Sequence, residues 1–458
     1  MRSDLSALSR GELIEIIYQQ ATEIEILKAA LIDLQERMKS KDDDSSKGIP
    51  SFVKANVKKN KRKKKARKRE HGFARKLDTP TKQIFHGFEC CPKCSGILGK
   101  PSVAYTRQII DIPTVTYEVV EHVVFKSYCF SCKRRFAPKA NLSSFVLGKA
   151  RFGINLMSAV FALREEQNMS INQIQAHLKT FYQLDLSVGQ LVEILHLESR
   201  FGKSEVEKIK QKLLSSHVIY ADETGGRENG VNGYHWSFSN QKYQLLLYDK
   251  SRSAKVVQKV LGVNGEDFQG VLSTDFYAAY NEYLGPHQRC WVHYLRDIKK
   301  LKVDNPKDRK LTIWAKHIHA LLQEAKSYPG PDSNRTDYLK QEERREKEAY
   351  FKQKLRELCE PHIKTQAPQA TLSARALKFL PEMFSFVRYE GVNSDNNMAE
   401  RAVRKTVIKR KISFGTRSKK GSETRSILGS LFGTWRLQNL NPFEQMRFLL
   451  INAPCQGV

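Results

Sequence analysis

The stretch His217-Val218-Ile219-Tyr220-Ala221-Asp222-Glu223-Thr224-Gly225 decides how the rest of the chain is read. A short apolar run closes on an acid, and a strand end is a rigid mount for a metal-binding carboxylate. The strand is expected to stop at Asp222; if it stops one residue later, Glu223 faces the site instead. Two later stretches repeat the theme. Gly270-Val271-Leu272-Ser273-Thr274-Asp275 is a second apolar run ending in an acid, and Asn393-Ser394-Asp395-Asn396-Asn397-Met398-Ala399-Glu400-Arg401 reads as a helix start. There Asn393, Asn397, Glu400 and Arg404 are spaced to line one helix face, with Arg401 and Arg404 close to phosphate. Together Asp222, Asp275 and Glu400 form a candidate carboxylate triad. Such a donor set suits Mg²⁺ or Mn²⁺, which in pairs activate an attacking oxygen and stabilise a leaving one in phosphodiester displacement; a His-rich site would favour zinc or iron.

The segment between the first two acids reads as strands. Residues 234–239 and 243–248 flank the turn-like Asn240-Gln241-Lys242, so three strands follow one another as hairpins. A helical stretch near 254–261 leads into a fourth strand ending at Asp275. This is the order of an α/β, ribonuclease H-like core, in which the first and fourth strands are neighbours. Cys290-Trp291-Val292-His293-Tyr294-Leu295-Arg296 is a strand-to-helix passage whose His293 and Arg296 share a face and are candidates for contact with a DNA end. Cys290 reads as a packed core residue. Residues 302–380 are charged and helical in composition, a helical insertion.

The whole chain has 458 residues, 78 Lys and Arg against 49 Asp and Glu, and a net charge of +29. That length calls for several domains, and that charge calls for a polyanionic partner, nucleic acid first. Part of the excess is one dense block at 58–69, containing Lys61, Arg62, Lys63, Lys64, Lys65, Arg67, Lys68 and Arg69. Such a block builds no core and grips phosphates without reading sequence. Ahead of it, Leu13, Ile17, Gln20, Ile24, Leu27, Leu31, Leu34 and Met38 make a heptad seam, a coiled coil for self-association or else a lone amphipathic helix. No stretch approaches the roughly 20 apolar residues of a membrane span, and Met1-Arg2-Ser3-Asp4 opens no apolar signal segment, so a cytoplasmic location is expected.

Of eight Cys, Cys91 with Cys94 and Cys129 with Cys132 form two Cys-x-x-Cys knuckles, the thiolate set of one tetrahedral structural Zn²⁺. Cys90 is a rival ligand to Cys91. Alternating Val, Ile, Tyr and Thr over 105–125 predict a β-hairpin between the knuckles, a zinc ribbon-like module that is either structural or a DNA contact. Beyond it, Ser170 and Ser187 are placed to cap two helices, bearing Ile174 and Leu178 on one and Leu191, Ile194 and Leu195 on the other. They read as a helix-turn-helix or as plain helical packing. The expected organisation is a coiled coil at 1–40, a basic disordered linker at 41–75, a zinc-binding module at 76–147, and a helical domain at 148–215. The core then follows in two parts, 216–301 and 385–450, around the insertion at 302–384, with a tail at 451–458.

Asp222-Glu223-Thr224-Gly225-Gly226-Arg227, Thr274-Asp275-Phe276-Tyr277-Ala278-Ala279-Tyr280, Cys290-Trp291-Val292-His293 and Asp395 to Arg404 together resemble the insertion-sequence sixty-six family of bacterial transposases. The likeness continues through Arg410-Lys411-Ile412-Ser413-Phe414 and Ser430 to Pro442. It implies that Asp222, Asp275 and Glu400 are the catalytic Asp-Asp-Glu set of a transposase that cleaves the ends of its element and joins them to target DNA. It further implies homo-oligomeric assembly, accessory transposition proteins in some systems, and work at the bacterial nucleoid. Two positions depart from the family pattern: Ser95 stands where a glycine usually follows the second Cys, and Gly226 where an aromatic often follows Gly225. Two rival functions are a zinc-containing DNA-binding regulator derived from an inactive transposase, and another ribonuclease H-like nuclease that cuts without joining.

Overall fold

The computed structural model of the chain describes Glu25, Lys28 and residues 79–110, 112, 115–138, 142, 144–147 and 150–453. The seam positions of the expected coiled coil and the basic block at 58–69 lie outside the described residues. Those that are described fall into two compact units, 79–116 in one and 117–453, with Glu25 and Lys28, in the other. Among the described residues no helix is long and apolar enough to cross a membrane.

The first unit carries no helix or strand among its described residues. The hairpin expected over 105–125 is therefore a correction: no described residue in that span is in a strand, and Ile109, Val119, Val120 and Val123 are exposed. Strand-forming residues hold a ladder only when one face of it is covered. The short strands of this region sit instead around the second knuckle, β1 (Ser127–Cys129) and β2 (Arg134–Phe136), antiparallel with Cys129 opposite Arg134.

The second unit is mixed α/β, built on a five-stranded sheet. Its strands are β3 (Val218–Glu228), β4 (Val231–Ser239), β5 (Gln244–Asp249), β6 (Val271–Thr274) and β7 (His287–Arg289), in the order β5-β4-β3-β6-β7. β3, β4 and β5 are an antiparallel meander, and β6 and β7 add in parallel to β3. Helix α4 (Ala254–Leu261) makes the crossover to β6, as its spacing predicts. The apolar run of β3 is unbroken because both faces are covered. Ile219 and Ala221 enter the main core with Trp236, Phe238 and Leu272, while Val218 and Tyr220 pack with Val271, Val392 and Ala399.

β3 does not stop at the acid. It continues to Glu228, where Asn229 and Gly230, with φ of 49° and 79°, turn the chain into β4. Two successive positive φ values make the tight turn whose twist matches a hairpin, and Asn-Gly is its usual sequence. The next turn is held by the Asn240 side chain, which accepts from the backbone N–H of Lys242 at 2.9 Å and of Tyr243 at 2.8 Å.

Helices α1 (Ile154–Glu165), α2 (Ile171–Tyr182) and α3 (Val188–Leu214) precede the sheet. Ser170 and Ser187 cap α2 and α3 through reciprocal bonds with Gln173 and Gln190. Leu191, Ile194 and Leu195 of α3 are buried in the same core as the sheet, beside Ile427, Leu428 and Leu431. Those last residues belong to a helix over Lys419–Leu437 whose hydroxyls serve the edge strand. Ser430 accepts from Leu246 N–H at 2.8 Å, and Thr434 accepts from Gln244 N–H at 3.0 Å.

After β7 the chain leaves the sheet as α5 (Trp291–Asp304), α6 (Arg309–Ser327), α7 (Asp337–Cys359) and α8 (Ala370–Lys378). Two short helices, α9 (Leu380–Met383) and α10 (Ser385–Arg388), bring it back. This insertion has its own core, with Trp291, Trp314, Ile318, Phe351 and Phe384 inside. Arg289 fastens it to the sheet. The fully buried guanidinium donates to Glu382 Oε2 at 2.5 Å, to the Asp275 carbonyl at 2.9 Å and to Asn281 Oδ1 at 2.7 Å. Arg289→Met leaves Glu382 without its cation and Asn281 Oδ1 without its donor, while the Asp275 carbonyl keeps the Thr274 hydroxyl. A loss of about 3–5 kcal/mol is expected from breaking such a pair, measured by chemical denaturation of the full chain.

Candidate active site

Three elements bring the sequence-predicted acids into one region. The parallel register sets Tyr220 opposite Ser273, so Asp222 and Asp275, each two residues further, emerge from neighbouring strands at the same level. Glu400 comes from the first turn of α11 (Asn397–Ser413). Its start is tied to β3 through Asn396, whose side-chain amide donates to the Ala221 carbonyl at 2.7 Å. Asn396 N–H also donates to the buried Cys290 sulfur at 3.2 Å, and Asn393 N–H to the Tyr220 hydroxyl at 3.1 Å. Asn393 therefore lies before the helix and not on its face with Glu400, because Asn393 and Asn396 donate to Tyr220 and Ala221 of β3 and to Cys290 ahead of α5.

The environment of each acid differs. Asp222 accepts one bond, from Glu223 N–H at 2.9 Å, and its carboxyl is raised from 3.8 to about 7. Burial is the main cause, with the charges of Glu223, Asp275 and Glu400 adding repulsion. Asp275 Oδ1 accepts from Tyr277 N–H at 2.8 Å. Glu400 Oε1 is buried with no hydrogen-bond partner; His293 Nε2 lies 3.7 Å and the Arg296 guanidinium 3.6 Å from it. His293 and Arg296 do share a face, and it is turned to the third acid. Arg401 and Arg404 are exposed on α11.

Glu223 is committed elsewhere. Its carboxylate accepts from Arg252 at 2.6 and 3.1 Å and from the Tyr280 hydroxyl at 2.6 Å, and its side chain is 2% exposed. Arg252 in turn lies 3.9 Å over the Tyr277 ring. Of two adjacent acids on β3, one is neutralised by the protein and the other is not. Asn396, Arg252 and Tyr280 were passed over as site residues in the sequence, although Asn396 and Tyr280 stand inside the very motifs that carry the acids.

The two knuckles adopt the turns their spacing requires. In the first, Ser95 N–H donates to the Cys91 carbonyl at 2.8 Å, and Ser95 takes φ 57°. In the second, Cys132 N–H donates to Cys129 Sγ at 3.4 Å, and Lys133 takes φ 50°. The left-handed residue after each second Cys is formed without glycine, at a modest conformational cost. Backbone N–H groups of Lys93 and Cys94 lower the Cys91 thiol, and those of Cys132 and Ser131, with the Cys132 side chain, lower Cys129. All four cysteines are free thiols. Among the described residues no three His, Cys, Asp or Glu side chains are grouped closely enough to hold a metal ion as they stand.

A sheet with acids on adjacent parallel strands, a third acid on a returning helix and paired thiol knuckles upstream belong to a mixed α/β protein. The family profile described as "Transposase IS66 family" matches residues 149–424, more than half of the chain, and the chain belongs to that family. A second profile, described as "zinc-finger binding domain of transposase IS66", matches residues 89–133. No curated protein matches the chain.

Between about pH 4 and 7 the folded chain holds a proton on Asp222 that the unfolded chain has released. Stability from this group is full below that window and falls as pH rises through it; above it the buried charge costs on the order of 2–4 kcal/mol. Asp222→Asn removes the cost. In divalent-free buffer at about pH 8 it should melt above the wild type, with the gap closing near pH 4; equal melting temperatures at pH 8 contradict the assignment.

Proposed function

We propose that the chain cleaves the ends of its mobile element and joins the freed 3′ hydroxyl to target DNA, with Asp222, Asp275 and Glu400 as the catalytic acids on a ribonuclease H-like core. The observation that carries this is the convergence of Asp222 and Asp275 on adjacent parallel strands with Glu400 tied beside them through Asn396 and Ala221. The strand order, counted from β3 as 3-2-1-4-5, supports the core assignment.

The donor set fits hard divalent cations. All three groups are carboxylates, Asp222 is held back from ionising by its surroundings, and Glu400 Oε1 is buried without a hydrogen-bond partner. Asp222, Asp275 and Glu400 would hold Mg²⁺ or Mn²⁺, which when bound supplies activation of the attacking oxygen and stabilisation of the leaving one. The protein's own contribution is alignment. Arg252 and Tyr280 hold Glu223 out of competition, the Tyr277 amide orients Asp275, and His293 with Arg296 steadies Glu400. Exposed Arg401 and Arg404 and the basic block at 61–69 serve the phosphates. The heptad seam would pair protomers so that both ends are held together, and 148–215 would contribute to DNA contact.

Cys91, Cys94, Cys129 and Cys132 would hold a structural Zn²⁺. Free thiols already shifted toward thiolate by turn amides fit that role.

Asp222→Asn, Asp275→Asn and Glu400→Gln should each lower divalent-dependent cleavage and strand transfer on DNA flanking the gene by at least about 100-fold, while gel-shift affinity for that DNA is kept. Retained cleavage in Glu400→Gln overturns the triad. Cleavage without joining points to a nuclease, and binding with neither points to a regulator. Metal analysis of the purified chain should find about one Zn²⁺ per chain, as four thiolates make one tetrahedral site, and Cys129→Ser should reduce it; a folded, zinc-free wild type removes the assignment.

A further inference from the structure

Further along β3 from Asp222 lies a groove of about 470 Å³ that the chemistry above does not use. Its floor is Gly225, Gly226 and Gly233, its rim carries Arg227 and Arg410, and Phe414 stands at its side. Two of these glycines leave no room for a side chain. A Cβ on Gly226 would lie 2.7 Å from the His235 ring, and one on Gly233 would lie 2.2 Å from the Tyr248 hydroxyl. Arg410 reaches over from α11, donating to the Gly225 carbonyl and, at 3.4 Å, to Thr224 Oγ1. Arg227 is exposed and held at its Nε by Asn232 at 3.2 Å.

Phe414 is the unusual member. It ends α11 at φ 57° and ψ −53°, and Gly415 N–H donates to the Ser413 carbonyl at 2.6 Å across it. That is a γ-turn of the rare, strained, positive-φ kind, and here it is centred on a bulky aromatic. The turn is locked to the sheet hairpin. Thr416 N–H donates to the Arg227 carbonyl at 3.0 Å, Asn229 N–H to the Thr416 carbonyl at 2.8 Å, and a Cβ on Gly415 would sit 2.5 Å from the Arg227 carbonyl. All this structure serves to hold out a ring that is 80% exposed. One exposed apolar residue is ordinary. An aromatic kept exposed by a strained and pinned turn, beside two arginines that line the same groove, is not.

We propose that this groove is a subsite for one unpaired DNA nucleotide two or three positions from the cleaved phosphate, its base stacked on Phe414 and its phosphates met by Arg227 and Arg410. The proposal rests on the reading of Asp222 as a catalytic acid acting on DNA. Gly225 follows Asp222 by three residues on an extended strand, about 10 Å at ~3.3 Å per residue, a distance of two or three nucleotides at ~3.4 Å each. Every base offers a face to an aromatic ring, so the contact is indifferent to sequence. A duplex offers no free face there, so the subsite favours a strand opened beside the cut, as enzymes acting within a duplex favour an extruded base.

The substitution that separates stacking from folding is Phe414→Gly, because glycine accepts the positive φ that phenylalanine resists. The full-length protein is titrated onto single-stranded oligothymidylate carrying one 2-aminopurine and onto a blunt duplex, in divalent-free buffer. The wild type should quench the 2-aminopurine. Phe414→Gly should melt at or above the wild-type temperature, lose the quench, and bind the single strand roughly 5- to 150-fold more weakly, the range of one lost base stack. Its duplex affinity should stay within about twofold, since phosphate contacts elsewhere carry that binding, and Phe414→Trp should restore quench and affinity. Wild-type binding without quench, or a Phe414→Gly protein that quenches and binds as the wild type does, overturns the subsite. The catalytic reading is scored apart, by cleavage of flanking DNA in wild type and Asp222→Asn. Asp222-dependent cleavage with no effect of Phe414→Gly sinks the subsite alone, and Phe414-dependent stacking without such cleavage sinks the catalytic reading alone.

Discussion

The parallel ladder of Val218, Ile219 and Tyr220 with Val271, Leu272 and Ser273 is the constraint on which the rest of the molecule depends. Parallel strands cannot be joined by a tight turn, so the chain must first complete the β4–β5 meander and the α4 crossover. The ladder forms only because both faces of β3 are covered, one by the main core and one by Val392 and Ala399 from the returning chain. Because strand period is two, a slip of one residue would turn Asp222 and Asp275 to opposite faces. Packing of apolar residues thus fixes the placement of acids that contribute nothing to that packing.

Around this ladder the protein divides its charges into those it neutralises and those it leaves. Glu223 receives a guanidinium and a phenol, and Arg289 is buried with an acid and two neutral acceptors. Lys409 on α11 is buried against Glu165 on α1, which seats the helix that carries Glu400. A buried pair of this kind is poor evidence of stability but good evidence of geometry, since either partner alone would be costly. By contrast the carboxyl of Asp222 receives one backbone amide and three acidic neighbours. The repulsion is tolerated at one place and cancelled in the surroundings, a distribution typical of sites whose chemistry needs the charge.

Much of this was legible in the residues themselves. The caps at Ser170 and Ser187, the crossover helix and the strand-to-helix passage at Cys290 rest on local signals that the fold does not override, and the adjacency of first and fourth strands follows from the order of elements. The extent of β3 was missed because the acid drew attention from Asn229-Gly230, the stronger turn signal. The hairpin expected over 105–125 failed for the opposite reason: composition favoured strands, but among the described residues their side chains stand exposed. Which individual side chains would bond across long separations was not readable. Glu223 with Tyr280, and Asn396 with the Ala221 carbonyl, depend on the register of elements that must fold first. That Glu223 is bound by the protein and Asp222 is not depends on where Arg252 and Tyr280 fall, which no local pattern reveals.

The hydroxyls of Ser430 and Thr434 along the outer strand have a consequence for how copies of this chain can meet. They occupy the main-chain groups of Leu246 and Gln244 that a sixth strand would need. At the far side, Ser385 Oγ donates to the His287 carbonyl at 2.6 Å, so the β7 edge is also engaged by the insertion. With both margins of the sheet stitched to helices, strand addition is closed to a neighbouring molecule. Any contact between copies at this five-stranded sheet would therefore run through side chains or helices and not through an added strand.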